Sequence, residues 1–125
     1  FYSGDVVIFR RGVPKNLEYG DVLIIRSWLD GEKDYLKRIA GLPGDIMELD
    51  DKGYMLRNGM EIRESEILHG YQQTDAYVTM PYRVPDESYF CLGDNRPVSL
   101  DSRVYGAVPG KQVKGKVLLV LRLRV

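Results

Sequence analysis

Tyr35-Leu36-Lys37-Arg38-Ile39-Ala40-Gly41-Leu42-Pro43-Gly44-Asp45 reads as a strand that runs into a tight turn. A lysine sits inside the apolar run. Pro43-Gly44 supplies the central pair of a type II turn, since proline presets φ at the first position and glycine accepts positive φ at the second. Working outward, strand signals dominate. Asp5–Arg10 (DVVIFR) and Asp21–Trp28 (DVLIIRSW) are β-branched runs, each opened by Gly-Asp. Gly12–Asn16 between them reads as loop, and Asp30-Gly31 as a turn into a strand over Lys33–Ala40. Ile46–Leu49, Tyr54–Arg57 and Met60–Arg63 read as a small meander. Asn58-Gly59 marks its second turn, because a type I′ hairpin needs positive φ at both central residues.

Further along, Glu64–His69 is read as a short helical turn, Ala76–Met80 as a weak strand, Ser88–Leu92 as a strand and Val104–Pro109 as a loop. Val117–Val125 alternates, with Leu119, Leu121 and Leu123 on one face. With no long helical period and no repeat, the expected fold class is all-β, antiparallel sheets forming a partly closed, barrel-like core.

At 125 residues the chain is a single domain's length. Eighteen basic and eighteen acidic residues cancel, so bulk charge gives no argument for nucleic acid. The stretch 111–125 carries Lys111, Lys114, Lys116, Arg122 and Arg124 without an acid. It reads as a solvated strand face, with proximity to an anionic membrane as the other reading. A single cysteine, Cys91, excludes an internal disulfide and reads as a buried, inert thiol. No apolar run reaches the roughly 18 residues that a membrane-spanning helix needs. No metal-ligand spacing is present and no cofactor is expected; His69, the lone histidine, reads as a surface residue.

Gly93-Asp94-Asn95-Arg96-Pro97-Val98-Ser99-Leu100-Asp101-Ser102-Arg103 is the second dense stretch. Gly-Asp-Asn-x-Pro is good turn chemistry by itself. Together, though, a strand lysine and a hydroxyl-rich polar loop point to a lysine used as a base. On an extended strand Lys37 shares its face with Lys33, Tyr35 and Ile39. Apolar flanks disfavour an ammonium and lower a lysine's pKa, which makes a general base near neutral pH. The bland alternative is an exposed edge lysine that blocks aggregation.

Lys-Arg-x-x-Gly-x-Pro-Gly-Asp over 37–45, followed by Gly-Asp-Asn-Arg-x-x-Ser-x-Asp-Ser-Arg over 93–103, resembles the bacterial type I signal peptidases. Gly4-Asp5 and Gly20-Asp21 fit the same pattern, and the resemblance is weakest over 62–84. It implies a membrane-anchored serine endopeptidase with a Ser-Lys dyad. Lys37 would be the general base and Ser99 would orient it. A hydroxyl accepts from the amine without adding the charge that would raise the lysine's pKa. Asp101 with Arg103, and Arg38 with Asp94, would be supporting ion pairs, and Gly93 would permit close backbone approach. The substrate would add as a strand beside Asp34, Tyr35 and Leu36, with Phe1, Val7 and Ile24 contributing to shallow apolar pockets. The resemblance also implies a catalytic core from 1–45 and 85–125, with a small non-catalytic β insertion over 46–84.

One departure is serious. The family's nucleophilic serine lies in a Ser-Met-x-Pro-Thr segment just before the first Gly-Asp, and Ser3 lacks that Met and Pro. The nucleophile and the N-terminal anchor are therefore expected to be absent from this chain, which alone would be inactive. The expected partners are signal-peptide regions of exported preproteins and the membrane through that anchor, with no nucleic acid. The catalytic domain would stand on the extracytoplasmic side of the cell membrane. Competing readings are a non-catalytic, signal-peptidase-like factor for peptide binding or pilus assembly, a self-cleaving repressor-type Ser-Lys peptidase, and a small nucleic-acid-binding barrel. The retained Lys37 and Ser99 speak for the enzyme.

Overall fold

The computed structural model describes residues 5–12, 16–26, 34–52, 54–62, 78–93 and 101–122. Phe1, Asp94 and Ser99, the Asp30-Gly31 turn and the helical turn expected over 64–69 lie outside them.

Strands β1 (Asp5–Arg11), β2 (Val22–Arg26), β3 (Asp34–Gly41), β8 (Ser88–Leu92), β9 (Val108–Pro109) and β10 (Val113–Arg122) form a six-stranded sheet in the order β1-β10-β2-β3-β8-β9. A second sheet, in the order β6-β5-β4-β7, holds β4 (Ile46–Leu49), β5 (Met55–Arg57), β6 (Met60–Glu61) and β7 (Tyr82–Arg83). All pairings are antiparallel. The all-β class expected from the sequence is correct, but among the described residues both sheets are open rather than closed into a barrel.

The inner ends of β3 and β8 are buried on both faces because a different core covers each one. Leu23, Ile25, Ile39, Cys91, Val108 and Val113 form one cluster. Ala40, Phe90 and Leu92 face the other way and join Met47, Met55, Ile62 and Val84 of the second sheet and its flanks. The two sheets therefore share a core. Gly41 lies at the closest point: a Cβ there would stand 2.7 Å from Met47 Sδ and 3.1 Å from Phe90 Cβ.

The turns follow their local chemistry. Gly44 has φ +88° and the Asp45 N–H donates to the Leu42 carbonyl at 3.0 Å, closing the Pro43-Gly44 turn. Asn58 and Gly59 both have positive φ, as the hairpin turn requires.

Three expectations are corrected. Val104–Pro109 is not all loop: Ser102–Tyr105 forms a short helix, α1, and β9 follows at Val108–Pro109. The strand expected near Ala76–Met80 is not found in its described part, 78–80, and Tyr82–Arg83 pairs with β4 instead. The last strand begins at Val113, earlier than its alternation signals, because a register shift between Val113 and Gly115 interrupts the period.

Candidate active site

Lys37 stands half-buried in β3, directly opposite Leu23 of β2. On the same face lie Ile25, opposite Tyr35, and Ile39, opposite Cys91 of β8. Leu23, Ile39 and Cys91 are fully buried and Ile25 nearly so. The amine thus rises from the margin of an apolar core, with its Nζ 5.9 Å from the centre of the Tyr35 ring.

The β3–β8 register decides what comes next to it. Arg38 pairs with Leu92, so Gly93 leaves the ladder beside Lys37. The stretch from Gly93 is held at both ends. Its N–H donates to Asp101 Oδ2 at 3.0 Å, and the Cys91 N–H donates to Ser102 Oγ at 2.9 Å. The two sequence motifs are therefore brought to one place, with the hydrogen-bonded Gly93 and Asp101 beside the strand that carries Lys37.

Asp101 and Arg103 form a fork: Nε to Oδ1 at 2.9 Å and Nη2 to Oδ2 at 2.7 Å, with both side chains buried. The expected ion pair is present. Asp101 caps α1, accepting the Arg103 N–H at 3.1 Å, and the pair closes around a helical turn, not along an extended segment. The signal was readable: Asp before Ser-Arg-Val-Tyr with Gly106 after it is an N-cap and a C-terminal glycine, here at φ +85°.

Arg38 donates from Nη1 to the Gly20 carbonyl at 2.8 Å; its expected partner Asp94 lies outside the described residues. The Gly20 N–H in turn donates to the Ile39 carbonyl, and the Ile39 N–H to the Asp21 carbonyl. Arg38 thereby ties the segment before β2 to the strand that carries Lys37.

The residues expected to line the substrate do not gather on one face. Arg11, Gly115, Ile24 and Leu36 share one rung across four strands. By alternation Val7 and Asp34 fall on the Leu36 side, while Tyr35 lies with Lys37 on the other. Asp34 already holds Lys114, with Nζ to Oδ2 at 2.9 Å. Lys116 is likewise 3.3 Å from Asp21 Oδ2, so part of the basic C-terminal stretch is committed to ion pairs.

Electrostatics around the site follow burial. The Cys91 thiol is pushed up by burial first and then by the Asp101 charge, against which Lys37 acts; it is an inert thiol. The Tyr105 phenol is pushed up by burial, with Asp101, Cys91 and Tyr35 acting the same way. Among the described residues no cluster of His, Cys, Asp or Glu could hold a metal ion, and no helix is long and apolar enough to cross a membrane.

Sequence reasoning missed a second polar network. Asp45 accepts from the Leu42 N–H at 2.8 Å, the Tyr19 hydroxyl at 2.7 Å and Asn58 Nδ2 at 3.0 Å. The Arg57 guanidinium lies 3.6 Å from the centre of the Tyr19 ring and donates to the Ala40 carbonyl at 2.8 Å. Ala40 is the residue passed over where the β3–β8 register shifts, and Arg57 takes up its carbonyl. Tyr19, Asn58 and Arg57 come from distant segments, so no local pattern announces them.

The family model described as "Signal peptidase, peptidase S26" matches residues 1–122. A signal peptidase I of Bacillus amyloliquefaciens is 40% identical over 98 residues, covering 70% of this chain and 51% of that protein. A probable signal peptidase I of Synechocystis sp. is 38% identical over 116 residues, covering 93% of this chain and 46% of that protein. This chain thus spans about half the length of the curated relatives it matches. The crystal structure of a signal peptidase I from Enterococcus faecalis superposes with a TM-score of 0.66 at 30% identity, covering 84% of this chain and 98% of that one. With Lys37 on its apolar face, the Gly93–Asp101 clamp beside it and a match along nearly its whole length, the chain belongs to the signal peptidase family, peptidase S26.

Proposed function

We propose that the protein removes signal peptides from exported preproteins by Ser-Lys acyl transfer, with Lys37 as general base. One observation carries this reading: Lys37 emerges from the Leu23–Ile25–Ile39 face where β8 ends at Gly93, bonded to Asp101. A serine hydroxyl gives its proton to Lys37 Nζ as its oxygen attacks the peptide carbonyl. Main-chain donors near that serine hold the oxyanion. Lys37 then passes the proton to the departing amine, and water hydrolyses the acyl-enzyme. Ser99 orients the amine. Asp101 with Arg103 and the buried Gly93 fix the loop that presents Ser99, and Arg38 braces β3; Asp94 belongs to the same support.

The attacking serine is not among residues 1–125 in this reading. It belongs to a Ser-Met-x-Pro-Thr segment in the longer protein, together with the membrane anchor that holds the catalytic domain on the extracytoplasmic side. The substrate adds as a strand against Asp34–Leu36, with Phe1, Val7 and Ile24 shaping its pockets. Residues 1–45 and 85–125 form the catalytic core and 46–84 an insertion packed on it. No cofactor or nucleic acid enters.

The test is cleavage of a preprotein by the full-length protein, by its Lys37→Ala variant and by residues 1–125 alone. Cleavage by the first only is expected. Binding of the preprotein without cleavage by the full-length protein would favour a non-catalytic, peptide-binding role.

A further inference from the structure

Tyr105 is the last residue of α1, and nothing in the proposed chemistry uses it. Its side chain packs against the cluster of Leu23, Ile25, Ile39, Cys91, Val108 and Val113, at whose margin Lys37 lies. Its helix is fastened to β8 beside that surface by the Cys91–Ser102 and Gly93–Asp101 hydrogen bonds. Tyr35, whose ring faces the Lys37 amine, is close enough for its charge to act on the Tyr105 phenol, as are those of Cys91 and Asp101. Two tyrosines from different elements thus border one face of β3.

We infer that Tyr105 is a positioning residue that walls the Lys37 amine from solvent on the α1 side, opposite the Tyr35 ring. The inference rests on the reading of Lys37 as the base. A half-buried lysine with one open flank is hydrated through that flank, and hydration favours the ammonium. A ring anchored on the apolar floor closes the flank without adding charge. The same burial keeps the phenol protonated, so it brings no anion beside the amine. Among the described residues, the charged and titratable groups near the amine include Tyr35 on β3, Cys91 on β8, Asp101 held by Arg103, and, across the Leu23 rung, Lys116 held by Asp21. Asp101 is matched by Arg103 and Lys116 by Asp21, and solvent access is the variable that Tyr105 controls.

The experiment is the pH profile of kcat and KM for preprotein cleavage by the full-length protein and its Tyr105→Ala and Tyr105→Phe variants. Tyr105→Ala should lower kcat about tenfold or more, leave KM within about twofold, and move the acid limb up by roughly one pH unit. Tyr105→Phe keeps the ring and should retain the wild-type limb. Should Tyr105→Ala fail to fold, Tyr105→Gln replaces the ring by a polar chain and carries the same expectation. A folded Tyr105→Ala or Tyr105→Gln variant with an unmoved acid limb overturns the inference and makes Tyr105 a core residue only. Full activity in Lys37→Ala would instead overturn the reading of Lys37, a separate failure seen in a separate variant.

Discussion

Asp101 and Arg103 hold each other through two hydrogen bonds while almost wholly removed from water. Such a pair sets geometry more than it adds net stability, because desolvation offsets most of the attraction. Breaking it is another matter, since one buried charge is left alone. Arg103→Ala should therefore cost about 3–5 kcal/mol. In a domain this size that lowers Tm by roughly 10 °C or more. A thermal melt with Tm within about 3 °C of wild type would show the pair to be dispensable.

Lys37 contrasts with that pair. It lies at the margin of its core and not inside it, so Lys37→Ala should abolish cleavage by the full-length protein while Tm stays close to wild type. A fall of more than about 10 °C would mark the lysine as structural.

The Asp45 carboxyl feels burial pushing its pKa up, but hydrogen bonds from Leu42, Tyr19 and Asn58 and the Arg57 charge outweigh this and hold it below the ordinary 3.8. A depressed carboxyl contributes stability above its unfolded pKa and loses it as pH falls through the folded value. Wild type should therefore lose stability below about pH 4 more steeply than Asp45→Asn, whose amide does not titrate. Urea unfolding across pH 2–6 measures this, and identical slopes would remove Asp45 from the acid response.

Gly115 sits close against β1: an added Cβ would run into the Arg10 carbonyl oxygen and come within 2.8 Å of the Phe9 ring. The obstructing atom is backbone and cannot rotate away. Gly115→Ala should cost about 1–3 kcal/mol or more, read as a lower urea midpoint. An unchanged midpoint would mean that β1 can shift along β10.

Substrate selection should follow from strand addition at β3. Side chains at the first and third positions before the cut share a face, and bulky Ile24 and Leu36, directly opposite each other, leave shallow space on theirs. Exchanging Ala for Leu at either position should slow cleavage about ten- to a hundredfold, from overpacking of about 1–3 kcal/mol. The intervening position should tolerate the same change. A peptide series with equal sensitivity at all three positions would rule out this geometry.

Local chemistry in the sequence determined the strands of β-branched residues and the two turns at Pro43-Gly44 and Asn58-Gly59, because proline presets φ and glycine and asparagine accept the positive φ that the turns need. It also picked out the lysine strand and the Gly93–Arg103 stretch. The alternation of β3 correctly placed Tyr35, Lys37 and Ile39 together. Only the tertiary structure decided what those faces meet. Ile39 opposite Cys91, and Gly93 emerging beside Lys37, depend on which strands pair and in what register, and register is set by burial between segments far apart in the chain. Arg57 turned to a carbonyl freed by a register shift, and Asp101 to a helix cap, for the same reason. A buried polar group takes whichever partner the packed elements bring within reach, and the sequence around it does not name that partner.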